Sequence, residues 1–328
     1  EELPFVKIQS FFILAAFFFW TSFLCSCKTI PPVHPPRIQK VQLDEDQKYL
    51  ESRLINVVDA LYEADTLETT QDEEKYLKHL LTLNPNNISL FWRMARVYQW
   101  YFENEPLPRR REKWAQKTMD YGGKGVFLNP KSGPCHYYYA IGLGLYLQLH
   151  ATTAIKGLPK LIEHARLAVK YSPNFDFAGP HRLLGRVYLE APSHLGGDID
   201  LALDHLKKAV EIAPDLAENL LALGKAYWED EEFDLAKKYF LQIYKKNDFR
   251  DFPRQLRKIK KEALEKLLEL DNHYGEYYIS LAEICIKLGE KERARELLET
   301  FFSLKNLKDS PKIQDQLRQK GRKLLESL

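Results

Sequence analysis

The sequence predicts an all-α chain, a solenoid of paired helices with extra helices at its N- and C-terminal ends. Three observations predict it. Apolar residues recur at helical spacing along most of the 328 residues, with no period-2 run to mark a strand. Leu, Lys, Glu and Ala are abundant, whereas only 15 residues are Gly. Small and aromatic residues return at matching places in successive segments, which is the mark of a repeat.

The elements follow in order. An apolar stretch, Phe11–Phe23, has the length of a signal-peptide core and leads into Leu24-Cys25-Ser26-Cys27. That tetrad resembles a bacterial lipobox, in which a small residue precedes the cysteine that receives lipid. The resemblance implies a leader over residues 1–26, an acylated Cys27 as the mature N-terminus, and a periplasmic, lipid-anchored protein. Lys28 is not the Asp that commonly signals inner-membrane retention, so the outer membrane is the expected address. The competing reading is an uncleaved anchor over Ile8–Leu24, whose 17 positions fall short of the roughly 20 that a span needs. Residues 27–40 carry Pro31, Pro32, Pro35 and Pro36 and read as an extended tether. Residues 41–328 read as the repeat domain.

Within that domain a leading helix is expected near Leu43–Leu61. About five helix pairs follow. The clearest, Ala217–Asp248, places Leu220, Leu223, Gly224 and Tyr227 on a first helix and Phe233, Ala236, Phe240 and Ile243 on a second. This is the tetratricopeptide pattern. Gly224 and Ala236 stand where the helices approach, and Tyr227 and Phe240 fill the space beside them. The preceding unit has Leu184, Gly185 and Tyr188, then Ala202, Leu206 and Ala209. Gly185 and Gly224 are 39 residues apart, and the excess over the usual 34 or so lies in Glu190–Asp198. Leu281, Ala282, Gly289, Ala294 and Leu298 mark a later unit, and weaker ones surround Phe91–Tyr98 and Tyr139–Ala140. Second helices should stop at Asn84-Pro85, Asn129-Pro130, Ser172-Pro173 and Ala213-Pro214. An extra helix is expected near Pro253–Leu270, and a C-terminal helix near Pro311–Leu325 that caps the array.

Lipobox, tether and degenerate repeats together resemble the tetratricopeptide lipoproteins associated with TRAP transporters, the T-component family. The stretches that carry the likeness are Leu128–Tyr146, Ala178–Asp198 and Ala217–Trp228. The resemblance implies a transport accessory whose partner is the periplasmic solute-binding protein of a TRAP-type system, handling small organic acids. The alternative is a scaffold lipoprotein that grips extended peptides of other envelope proteins during assembly or secretion. A homo-oligomer is compatible with both.

The sequence carries no catalytic signature: there is no HExxH, no paired CxxC, no P-loop and no Gly-x-Ser-x-Gly. No enzyme, no metal and no cofactor other than the lipid on Cys27 is expected. A net charge of +2 is too balanced for a nucleic-acid surface. Cys135 and Cys285 read as buried thiols. Gly196-Gly197-Asp198 reads as a turn with Asp198 capping the next helix, and Arg109-Arg110-Arg111 as a solvated loop. In tetratricopeptide arrays the first helix of each pair lines the concave groove. Carried over position by position, this places Trp92, Arg96, Tyr137, Arg182, Arg186, Lys225 and Trp228 in the groove. Cations between aromatic walls suit a carboxylate with an apolar body or an acidic peptide, because guanidinium forks match carboxylates.

Overall fold

The computed structural model describes residues 29–39 and 41–328, so the leader, Cys27 and Lys28 lie outside the described residues. The described residues form fourteen α-helices and one 3-10 turn, with no strand among them. The all-α, tetratricopeptide-like class therefore holds. Two compact units are formed, one up to Ala202 and one over Leu203–Leu328, and the boundary falls inside a helix.

Unit 1 contains α1 (Glu45–Glu63), α2 (Leu67–Leu83), α3 (Ile88–Asn104), α4 (Pro108–Leu128), α5 (Gly133–Leu149), α6 (Ala151–Tyr171) and α7 (Phe175–Glu190). The boundary helix is α8 (Ile199–Ile212). The leading helix has a partner of its own, α2, so the array opens with a pair. Asn84, Asn129 and Ser172 cap the C-termini of α2, α4 and α6, each immediately before a proline that disfavours helical backbone at the residue preceding it. Asp198 caps α8, accepting the Leu201 N–H at 2.9 Å. Arg109–Arg111 differ from expectation. They occupy the first turn of α4 because Pro108, at the first helical position, is pre-set for helix. The α4–α5 contact is close enough that a Cβ on Gly122 would lie 2.5 Å from the Tyr139 backbone nitrogen.

Residues 29–39, the described part of the Pro-rich segment, have no regular structure and lie against this unit. Tyr146 donates to the Thr29 carbonyl at 3.2 Å. Ile30 and Val33 pack on the buried cluster of Met119, Tyr139, Leu143 and Tyr146. Between α5 and α6 stands a part-buried imidazole pair, His136 Nδ1 to His164 Nδ1 at 2.9 Å, while His136 Nε2 donates to the Pro130 carbonyl at 2.9 Å. That second bond fixes the tautomer. Nε2 holds the His136 proton, so His136 Nδ1 accepts from His164. Cys135 and Cys285 are buried and free, and burial pushes the Cys135 thiol up to about 12.

Unit 2 continues with α9 (Ala217–Glu229), α10 (Phe233–Lys245), α11 (Pro253–Leu270), α12 (Gly275–Leu288), α13 (Lys291–Ser303) and α14 (Pro311–Glu326). The repeat register is confirmed at its tightest point, where a Cβ on Gly224 would meet the Phe240 ring at 2.7 Å. A longer period is superimposed. Ala217 to Gly275 and Pro253 to Pro311 are both steps of 58 residues. Asp251 accepts the first N–H groups of α9, from Ala217 at 2.6 Å and Glu218 at 3.1 Å. Asp309 does the same for α12, from Gly275 at 2.6 Å and Glu276 at 3.4 Å. The backbone N–H of Arg250 donates to Asp215 O, and that of Lys308 to His273 O. Ile259 and Ala263 of α11 are buried, as are Leu317 and Gly321 of α14 at the same steps. Lys225 pairs with Glu262 at 2.8 Å; at the equivalent positions Glu283 pairs with Lys320 at 2.9 Å, with the charges exchanged. The helix expected as an extra and the helix expected as a cap are thus the same element in two copies of a three-helix module.

Candidate functional site

Four of the seven groove residues that the sequence nominates converge in unit 1, around the start of α7. That start is unusual. Asp176, Phe177 and Ala178 have φ of 50°, 52° and 65°, three successive left-handed residues without a glycine among them. Each such residue costs about 1–3 kcal/mol and persists only where its surroundings over-determine it. Here the surroundings do. The Phe175 ring meets Trp92 edge-on with centroids 5.2 Å apart, and Tyr137 and Tyr138 at 5.7 and 6.2 Å. Tyr137 donates to Asp176 Oδ2 at 2.8 Å. Arg182 reaches the same oxygen at 3.5 Å and the Phe177 carbonyl at 3.4 Å. Gly179 allows the approach of Tyr137, whose hydroxyl would lie 2.7 Å from a Cβ there. Phe177 is left 45% exposed beside this cluster.

The other side of Trp92 is ionic. Arg96 lies 3.9 Å from the Tyr62 ring centroid and 5.5 Å from that of Trp92. Its Nη2 donates to Glu73 at 2.6 Å and to Asp59 at 3.1 Å. Arg93 forms a second fork on Asp59, at 2.9 and 2.6 Å. Burial acts against the Asp59 charge, but Arg93 and Arg96 together hold its carboxyl below the usual range. Glu73 is only 1% exposed, and burial raises its carboxyl against the pull of Arg96.

The cations nominated as ligand groups therefore already have carboxylate partners within the chain. Arg96 has Glu73 and Asp59, and Arg182 has Asp176. Arg182 and Arg186 lie one helical turn apart on α7 but differ in environment. Arg186 is half exposed and reaches back to Glu190 at 3.4 Å, while Arg182 is buried. Lys225 and Trp228 belong to unit 2. Lys225 pairs with Glu262, and Trp228 stacks edge-on against Phe233 with Lys266 Nζ 4.2 Å above its ring. Tyr137, Tyr138 and Tyr139 are all buried.

Sequence reasoning missed Glu73, Asp59 and the Asp176 turn. A signal for Glu73 existed: it sits in the buried stripe Thr70–Glu73–Leu77–Leu80 of α2, where a carboxylate demands a partner. The left-handed turn had none beyond Gly179-Pro180, which follows it. No set of three or more His, Cys, Asp or Glu is placed to hold a metal among the described residues, and no helix there is long and apolar enough to cross a membrane.

Two family profiles match the chain. One, described as regulator of microtubule dynamics protein 1-3, matches residues 54–191, which carry the aromatic and ionic cluster. The other, the tetratricopeptide repeat, matches 217–245 and 275–306, the α9–α10 and α12–α13 pairs. Regulator of microtubule dynamics protein 2 of Bos taurus is 24% identical over 172 residues, 47% of this chain and 41% of that protein, so the match spans less than half of that relative. Among solved structures, PilF of Pseudomonas aeruginosa covers 84% of this chain and 99% of its own, at 11% identity and a TM-score of 0.45. A tetratricopeptide protein of Thermus thermophilus covers 72% and 99%, at 18% identity and a TM-score of 0.34.

Proposed function

Because the chain is a tetratricopeptide-repeat protein, we propose that it is a scaffold without catalytic activity, held at a bacterial envelope membrane by lipid on Cys27. Its unit 1 cluster would grip an extended segment of a partner protein. The observation that carries this reading is the internal neutralisation of Arg96 and Arg182. A small organic acid finds no uncompensated cation there; to bind, it must displace Asp176 or Glu73, and a displaced buried carboxylate is costly. A polypeptide brings both donors and acceptors and an apolar side chain for Phe177. Such a partner adds contacts without breaking the existing pairs.

The finer reading is an accessory of a TRAP-type uptake system that docks its solute-binding protein. One observation favours it. The stretches that carry that resemblance, Leu128–Tyr146 and Ala178–Asp198, contribute Tyr137, Tyr138 and Arg182 to the cluster. Calorimetric titration of the full chain separates the possibilities, with free dicarboxylates, a library of extended peptides and a TRAP solute-binding protein as titrants. Peptide or receptor binding that Phe177→Asp weakens about tenfold at unchanged melting temperature is expected. Binding of free carboxylates alone, indifferent to Phe177, would overturn the scaffold reading.

A further inference from the structure

In unit 2 an open cleft of about 550 Å³ lies between α11 and the α12–α13 turn, within the usual range for ligand clefts. Its walls carry Arg254, Arg257, Lys258, Lys261 and Lys287 against Glu262, Glu265 and Glu290, with Leu288 at its edge. Residues 254, 257, 258 and 261 share one face of α11, at i, i+3, i+4 and i+7. Three features set this face apart.

The cations crowd the N-terminal half of the helix, where the macrodipole is already positive and further positive charge is unfavourable. The Arg257 Nε is buried and has no hydrogen-bond partner among the described residues, a state that ordinarily costs free energy. The third feature comes from the duplication. At the equivalent steps α14 keeps the buried pair, Leu317 and Gly321 for Ile259 and Ala263. It has Asp315, Gln316 and Gln319 where α11 has Arg257, Lys258 and Lys261. Lys261 is accounted for by its ion pair with Glu290, whereas no such pair accounts for Arg257 or Lys258 among the described residues.

We propose that this cleft is a docking site for an acidic, extended segment of a partner protein, bound through its carboxylates to Arg257, Lys258 and Lys287. Glu262 and Glu290 already pair with Lys225 and Lys261, and with Glu265 they leave carboxylates interspersed among the cations; such a mixed wall favours a peptide, which brings donors as well as carboxylates, over a densely anionic lipid surface. The site lies in unit 2 and does not rest on the reading given to unit 1.

The test is titration of the full chain with an end-blocked peptide alternating glutamate and alanine, its lysine counterpart, inorganic phosphate, and vesicles of phosphatidylcholine and phosphatidylserine in equal parts. The glutamate peptide alone should bind, more weakly as salt is added. Arg257→Asp with Lys258→Gln installs the α14 residues and should weaken binding roughly tenfold or more. Should that variant melt early, Lys258→Gln with Lys287→Gln alters two exposed side chains only and should still weaken binding severalfold. Unchanged affinity in a folded variant would overturn the proposal, as would binding of vesicles or phosphate in place of the peptide.

Discussion

The hydrogen-bonded imidazoles of His136 and His164 make the fold sensitive to acid. Burial lowers both pKa values from 6.5, that of His164 to about 4, with His136 and Lys160 adding to the effect there. The unfolded chain therefore takes up protons first. The contribution of the pair is complete above pH 6.5 and is lost as pH falls towards 4. The expected loss is on the order of 1–3 kcal/mol between neutral pH and pH 4.5. Urea unfolding at both values measures it, and His136→Gln with His164→Gln should flatten the difference. An equal slope in the variant would mean that other groups carry the acid response. The same scale explains why the cluster around Trp92 was only half legible. Arg96, Tyr137 and Arg182 could be placed from repeat positions. Their partners could not, because Asp59 and Glu73 come from the preceding helix pair and Asp176 is aimed by backbone that its residue types do not announce.

Proline marks the stops at Asn84, Asn129 and Ser172 and the start of α11 at Pro253, which is why these bounds could be read directly. The starts of α9 and α12 depend instead on distant residues. Asp251 and Asp309 lie 34 residues after the first residues of the helices they cap, so no local signature marks them. Asp251→Ala leaves two N–H groups of α9 without an acceptor and should cost about 1–3 kcal/mol. Asp309→Ala should do the same to α12, and the double variant should lose close to the sum, since the caps share no partner. Denaturant midpoints decide it; a neutral Asp251→Ala would show that water serves those groups equally well. The 58-residue module escaped the sequence for a related reason. Its two copies preserve buried positions and caps, while most surface residues differ, and a search tuned to 34-residue repeats sees two separate pairs and two leftover helices.

For the molecule as a whole, the proposed site of lipid attachment, Cys27, lies outside the described residues. If Cys27 carries lipid, labelled fatty acid should enter the wild-type chain and be absent from Cys27→Ala, which should leave the membrane fraction or accumulate with its leader attached. Undiminished labelling of the variant would end the lipoprotein reading. A duplicated module also brings a hazard of its own, since each copy offers a near-equivalent seat for the other's third helix. The exchanged ion pairs bear on that hazard. With α11 on α9 and α14 on α12, Lys225 meets Glu262 and Glu283 meets Lys320. Trade the two helices and Lys225 faces Lys320 while Glu262 faces Glu283. Each exposed pair is worth only about 0.2–1 kcal/mol, but its sign reverses in both wrong assemblies and in neither right one. A newly made chain thereby discriminates between its own look-alike parts while it folds, and two neighbouring chains are discouraged from trading them.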